Sequence, residues 1–311
     1  MTTASQLFAR RTIVHRFVML ALGFSLAVVA SGCTTKVNPQ QANAIAEIEK
    51  MGGMVIVNER SSDKPVIMVE LAKSKVADSG LGHLKELTRL QQLDLQNSNV
   101  SDAGLEHLKG LTNLQWLLLK NTNVSDVGLV VLNGLTQLQR LDLTGTRVTD
   151  AGLAYLEGLT TLHSLYVSNT QVTDAGLEHL KGLTQLRFLV LNKTKVTDVG
   201  LEHLKRLISL QKLDLANTLV SDAGLEYLKG FTKLLGLYLS DTQVTDVGLE
   251  YLKGLTQLQR LDLQDTNVSD VGLEHLKGLT NLQTLNLLQT KVTDAGVKKL
   301  QRALPNCEIR H

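Results

Sequence analysis

LQQLDLQNSNVSDAGLEHLKGLTN, residues 90–113, holds the pattern that decides the fold, with apolar positions at Leu90, Leu93, Leu95, Val100, Leu105, Leu108 and Leu111. Alternation with period two over Leu93-Asp94-Leu95 predicts a short strand with both leucines facing inward. Leu105, Leu108 and Leu111 recur every third residue, which suits one face of a short helix. Strand and helix therefore occupy opposite sides of one coil. Asp102 is expected to cap that helix by accepting a backbone N–H, a contribution of ~1 kcal/mol. Gly110 is expected to end it in the left-handed conformation. Gly104 stands where glycine weakens a helix, so it implies a position without room for a side chain, in close contact with the neighbouring coil. Glu106 and Lys109 complement the helix dipole and pair across three residues on a solvated convex face.

The same spacing returns along most of the chain. Glycine recurs every 24 residues from Gly80 to Gly296, with aspartate two residues ahead of each and valine two ahead of each aspartate, from Val76 to Val292. Ten units thus run over residues 66–305. No single unit can bury its apolar face alone, whereas stacked units share one continuous core. Their strands align as a parallel sheet at a spacing of ~4.8 Å, so ten coils span on the order of 50 Å. The expected architecture is an α/β solenoid: a curved right-handed coil with a parallel sheet on its concave face and short helices on its convex face.

Leu-x-x-Leu-x-Leu-x-x-Thr resembles the leucine-rich repeat. The following Val-Thr/Ser-Asp-x-Gly-Leu resembles the cysteine-containing subfamily found in F-box substrate receptors. The resemblance covers 240 of 311 residues. Threonine, or serine at Ser74 and Ser98, stands where that subfamily has cysteine, and the unit is shorter. The stretch ahead of the array does not resemble an F-box, so no ubiquitin-ligase role is implied.

Residues 1–32 read as an export signal. Arg10, Arg11 and Arg16 form a basic region, and Phe17 to Ala30 form a mostly apolar run of 14 residues, shorter than the roughly 20 that span a membrane. Ala30-Ser31-Gly32-Cys33 resembles the lipobox of bacterial lipoproteins, with Ala30 in place of the usual Leu or Val. That resemblance implies acylation of Cys33 and a membrane-anchored protein of the bacterial cell envelope. Ordinary cleavage after Ala30, releasing a soluble chain, is the alternative. Arg10-Arg11 also suggests the twin-arginine route, although Thr12-Ile13-Val14 lacks most of that signal. Cys33 and Cys307 are the two cysteines, so acylation of Cys33 leaves no intrachain disulfide. Losing three arginines and no acids takes the formal charge from +2 to −1, without the basic footprint of a nucleic-acid binder.

Residues 33–40 are assigned to a tether and 41–65 to an N-terminal cap. In that cap a helix carrying Ile45, Ile48 and Met51 stops at Gly52-Gly53, and Met54 to Val57 form an edge strand. Residues 306–311 are assigned to a C-terminal cap strand, after Leu304-Pro305 breaks the last helix. Cys307 reads as a small buried residue of that cap.

On the concave face two outward columns flank the middle leucine and vary from unit to unit. The first runs Met68, Gln92, Trp116, Arg140, Ser164, Phe188, Lys212, Gly236, Arg260, Thr284, and the second Glu70, Asp94, Leu118, Asp142, Tyr166, Val190, Asp214, Tyr238, Asp262, Asn286. Trp116, Leu118, Arg140, Tyr166, Phe188 and Val190, with Tyr238 further along, form the candidate partner-binding surface, since clustered aromatics and arginine are common hot spots. Simple stacking across the sheet is the competing explanation. Asp142 is expected to pair with Arg140, and local ion pairing to account for Asp94, Asp214 and Asp262. The helix-side column His83, His107, Tyr155, His179, His203, Tyr227, Tyr251 and His275 reads as a solvated face, because each histidine lacks a second ligand type at metal-site spacing. No phosphate loop, serine nucleophile motif or Cys/His cluster is present, so neither catalysis nor a metal or cofactor is expected. The functional expectation is a monomeric, envelope-anchored module binding a protein or peptide. A structural envelope protein without a ligand, or a cell-wall polysaccharide binder stacking sugars on Trp116, Tyr166 and Tyr238, are the alternatives.

Overall fold

A computed structural model describes residues 38–311; the stretch read as an export signal, Cys33 and all but the last three residues of the assigned tether lie outside the described residues. The described residues form one twelve-stranded sheet whose spatial order is the order of the chain. β1 (Met54–Val57) pairs antiparallel with β2 (Val66–Glu70). Then follow β3 (Gln92–Asp94), β4 (Trp116–Leu118), β5 (Arg140–Asp142), β6 (Ser164–Tyr166), β7 (Phe188–Val190), β8 (Lys212–Asp214), β9 (Gly236–Tyr238), β10 (Arg260–Asp262), β11 (Thr284–Asn286) and β12 (Glu308–Arg310). From β2 onward every pairing is parallel and shifted by one unit of 24 residues, as in Trp116↔Arg140↔Ser164↔Phe188. Each strand lies one residue earlier than the Leu-x-Leu alternation alone suggests, so a single buried leucine such as Leu93 sits at its centre. The core is a stack of leucines and valines with Phe231 as its one buried phenylalanine among the described residues.

Helical turns on the opposite side are shorter than a spacing of three over 105–111 suggests. Asp102–Leu105 makes one α-turn, Glu106–Leu108 tightens into a 3₁₀ turn, and Leu111 lies beyond it with its N–H on the Leu108 carbonyl at 3.0 Å. Gly110 is left-handed at φ +93°. Its counterpart Gly134 is not among the left-handed glycines, and the turn there closes through Leu135 N–H on the Leu132 carbonyl at 2.9 Å.

The aspartates do not cap their own helices. Asp174 reaches the next coil, where Oδ1 accepts the Thr197 N–H at 2.7 Å and Oδ2 accepts the Thr197 hydroxyl at 2.6 Å. The same pair of bonds joins Asp78 to Ser101, Asp150 to Thr173, Asp222 to Thr245 and Asp270 to Thr293. Where a side-chain cap forms in these coils, the hydroxyl supplies it: Thr197 Oγ1 accepts the Val199 N–H at 3.3 Å at the start of its helix, whereas Ser101, Thr149 and Ser221 make no such bond. A carboxylate on one coil thus fixes the hydroxyl ahead of the next coil's helix, which at Thr197 also caps it, and such charge-assisted bonds contribute about 1.5–3 kcal/mol.

From Gly104 onward this clamp explains the glycine of the repeat, whereas Gly80 is crowded by Met51 of the N-terminal helix region and by Val76. A methyl group added at Gly200 would collide with Asp174 Oδ1 and come within 3.1 Å of Leu177 Cδ1. Close contact with the preceding coil is therefore real, and what it protects is the clamp. The threonine standing in the place of the subfamily's cysteine satisfies itself: Thr122 and Thr146 are buried and donate to the Leu119 and Leu143 carbonyls three residues back, at 2.7 and 2.6 Å. Immediately ahead of it the chain turns through left-handed residues, Asn97 and Asn121 at φ 55° and 54°, and Gly145 at φ 67°. Asparagine tolerates that region well, and Asn121 Nδ2 donates to Asn97 Oδ1 at 2.9 Å along the column.

At the N-terminal end the helix spans Pro39–Lys50, two residues ahead of the expected boundary at 41. Pro39 pre-sets the helical φ, and the Asn38 side chain accepts the Gln40 N–H at 3.0 Å. Gln41 is the buried polar link to the first repeat, its amide donating to the Lys64 carbonyl at 2.9 Å while Oε1 accepts the Val66 N–H at 3.3 Å. At the other end Gln301 Nε2 donates to the Leu304 and Cys307 carbonyls at 2.8 and 3.0 Å, holding the turn into β12.

Cys307 is 4% exposed, and burial, aided by the charge of Glu308, pushes its thiol up to about 11. A thiol held protonated and covered is a poor nucleophile. Maleimide treatment of the native chain at pH 8 is expected to leave Cys307 unmodified, with complete labelling in denaturant. Rapid native labelling, read by peptide mass mapping, would contradict this packing.

Candidate binding face

The two outward columns of the sheet place the candidate residues on one surface, because parallel register with a shift of 24 keeps each column in line. Trp116, Leu118, Arg140, Tyr166 and Phe188 are half-buried and lie on β4 to β7, whereas Val190 is buried with 7% exposure. Tyr238 stands apart on β9. Its ring covers the bare backbone of Gly236, where an added methyl would meet it at 3.2 Å, and Lys212 Nζ lies 4.5 Å from its centroid. Sheet geometry therefore yields a main cluster and a separate tyrosine–lysine pair.

Within the main cluster Arg140 does not pair with Asp142. Its guanidinium carbon sits over the Trp116 ring at 5.7 Å, directly across from it, and over the Tyr166 ring at 5.1 Å, on the diagonal. Two aromatic faces hold the cation with roughly 0.5–1 kcal/mol each at such half-exposed sites. Its Nε is buried and has no hydrogen-bond partner. Asp142, 8% exposed, instead accepts the Thr144 N–H at 2.9 Å.

The neighbouring carboxylates behave likewise, so ion pairing is not what accounts for them. Asp94, Asp214 and Asp262 each accept the backbone N–H two residues on, at 2.9, 3.2 and 3.0 Å. Burial raises the pKa of Asp94 above its ordinary value, with Glu70 and Asp142 adding repulsion, and burial raises that of Asp214. An acid whose folded pKa is raised costs stability when ionised, and that cost vanishes once the pH falls below its unfolded pKa. Asp94→Asn keeps a carbonyl acceptor for Gln96 and removes the charge. It is expected to stabilise the chain at pH 7 by no more than about 1 kcal/mol after solvent screening. The gain should disappear near pH 3, where Asp94 is itself protonated; paired urea titrations at the two pH values read this directly.

The helix-side column is half-buried rather than freely solvated. Tyr155, Tyr227 and Tyr251 pack against the core, His179 Nδ1 lies 2.6 Å from Glu157 Oε1, and Lys229 Nζ lies 4.5 Å from the Tyr251 ring centroid. Beside it run the expected pairs at three-residue spacing, among them Glu178–Lys181 and Glu202–Lys205 at 3.0 and 3.1 Å. No group of three or more His, Cys, Asp or Glu is placed to hold a metal among the described residues.

Sequence reasoning finds the columns but misses the sandwich. The signal was present as spacing: Trp116 lies one unit before Arg140 and Tyr166 one unit plus two residues after it, which is the diagonal neighbour across a parallel sheet.

Comparison with known proteins agrees with this geometry. Leucine-rich repeat family models match residues 88–148 and, in a second model, residues 158–181, 254–277 and 278–300. No curated protein matches the chain in sequence. An internalin (inlF) from Listeria monocytogenes is similar in structure at a TM-score of 0.58 and 21% identity, covering 90% of this chain and 98% of that one. The ectodomain of the Arabidopsis receptor kinase HAESA, solved with an N-terminally extended IDA peptide hormone ligand, is similar at a TM-score of 0.61 and 17% identity. That match covers 81% of this chain, which spans about half of the ectodomain, 46%. The repeats are leucine-rich repeats, and the fold is a leucine-rich-repeat solenoid. Domains of this class generally mediate protein–protein interaction.

Proposed function

We propose that this chain is an envelope-anchored binding module, acylated on Cys33, that acts as a monomer and takes a protein or peptide on the concave face between Trp116 and Val190. The observation carrying the reading is the half-exposed cluster around Arg140, set on a face whose outward residues change from coil to coil while the leucines beneath them do not. Large, rigid aromatic groups with a fixed arginine supply contact area at little cost in side-chain entropy. HAESA, of the same fold class, holds a peptide hormone. A sugar-stacking role is less well supported, because Arg140 already covers the Trp116 and Tyr166 rings. The near-neutral charge left after loss of residues 1–32 favours a protein or peptide over nucleic acid.

Mass spectrometry of envelope-bound protein crosslinked in living cells tests both halves of the proposal. An acyl group on Cys33 together with a recurrent partner attached near Trp116 to Val190 is the expected result. An unmodified chain beginning near Ser31, without a recurrent partner, would overturn it in favour of a soluble or purely structural repeat protein.

A further inference from the structure

We infer that the group recognised on this face is a carboxylate, carried by an acidic peptide and seated on Arg140; the inference rests on the concave face being a binding surface. Three buried side-chain nitrogens lack a partner among the described residues: His107 Nδ1, Arg140 Nε and His163 Nδ1. Arg140 opens β5 and His163 immediately precedes β6, and the two coils meet where the His163 N–H donates to the Gln139 carbonyl at 2.8 Å. Nε of Arg140 is covered, so a ligand reaches this side chain only through its terminal guanidinium nitrogens.

The guanidinium is also held in place. Trp116 and Tyr166 flank it on either side, its Nε edge is buried, and the remaining edge of a planar fork is the one left for a ligand. A fixed fork matches the two oxygens of a carboxylate. Charge points the same way. Arg140, Arg187, Lys212 and Arg260 lie along the leading side of the strands, and the arginine ion pairs of the described residues involve Arg89 and Arg310 instead. Along the trailing side Asp94, Asp142, Asp214 and Asp262 accept from their own backbones and form no ion pair with that row among the described residues, although the Lys212 charge favours ionised Asp214. The face therefore carries a line of cations without ion-pair partners among the described residues beside a line of carboxylates, and Arg140, held between two rings, is the cation fixed in place. With Asp142 two residues on along the same strand, a singly charged carboxylate meets less repulsion than a doubly charged phosphate would.

The test is binding of the full chain to an array of heptapeptides. Each sequence is synthesised with aspartate or glutamate, with the matching amide, with lysine and with phosphoserine at the centre, and with free or amidated C-termini. Acidic peptides are expected to bind at least about tenfold more tightly than their amides. Arg140→Met should erase that difference, and Arg140→Lys should restore only part of it. Arg140→Lys keeps a cation between the rings and should melt close to the parent chain, whereas Arg140→Met also loses both cation–ring contacts, so its folding is checked by circular dichroism before binding is read. If amidation of the C-terminus alone removes the preference, the carboxylate recognised is the terminal one; if only the central substitution does, it is a side chain. Peptides held without any acid preference, a preference that survives Arg140→Met, or tighter binding of phosphoserine would overturn the carboxylate and leave the binding face standing. A face that holds none of the peptides would overturn both.

Discussion

Asp174→Ala is expected to lower the unfolding free energy by about 2–3 kcal/mol, the range for losing hydrogen bonds to a charged acceptor and leaving a partly buried donor unpaired. The loss does not stop at two bonds. Thr197 is positioned by the Asp174 carboxylate and in turn accepts the Val199 N–H, so the start of helix Asp198–Leu204 loses its orientation as well. Gly200→Ala strikes the same place from the other side, because the new methyl collides with the Asp174 carboxylate. Alone it is expected to cost about 1–3 kcal/mol through overpacking. Combined with Asp174→Ala it should cost much less than the sum, since the group it strikes is gone. Urea unfolding of the four chains followed by circular dichroism reads the cycle. Because repeat arrays lose stability unit by unit, hydrogen exchange at the Thr197 amide gives the local value. Full additivity, or an Asp174→Ala effect under about 0.5 kcal/mol, would show that stacking of leucines alone holds the coils together.

The second large effect concerns binding. Trp116→Glu and Phe188→Glu are each expected to weaken capture of the partner by at least about 30-fold, the scale of a hot-spot residue, while thermal melting stays close to that of the parent chain. Folding should survive because both side chains lie on the outer face of the sheet, half-buried, and the leucine beneath each strand is untouched. Replacing Trp116 also uncovers one side of Arg140, so its effect should exceed that of Phe188 for an acidic ligand. Val190 offers a contrast: at 7% exposure it has little surface to give, and Val190→Ala should change stability more than capture. Capture that is unchanged in both glutamate variants would remove this cluster from the binding site.

The fold was legible because a solenoid repeats its instructions. Ten copies of one pattern average away the ambiguity that a single Leu-Asp-Leu or a three-residue helical spacing carries by itself, and the inward positions follow from period two. What was misread involves contacts between units. Asp102, seen within its own unit, sits correctly for a helix cap; only stacking brings Ser125, 23 residues on, within 2.7 Å of its carboxylate. Arg140 and Asp142 share one face of one strand, two residues apart, and look like an ion pair until the rings on the adjacent strands are placed. In both cases a local polar partner is displaced by one from the next coil, which is close in space and remote in sequence. Gly104 was legible for the converse reason: a residue lacking a side chain signals crowding without naming the crowding atom, here the Asp78 carboxylate.

The concave face is tested most directly by placing a photo-crosslinking side chain at Ser164, in register between Arg140 and Phe188, and a second at exposed Glu226 on the helical side, each in the full chain expressed in living cells. A discrete, recurrent adduct from Ser164 and none from Glu226 is the expected result. Equal labelling from both positions, or no discrete adduct from Ser164, would contradict a ligand-binding concave face.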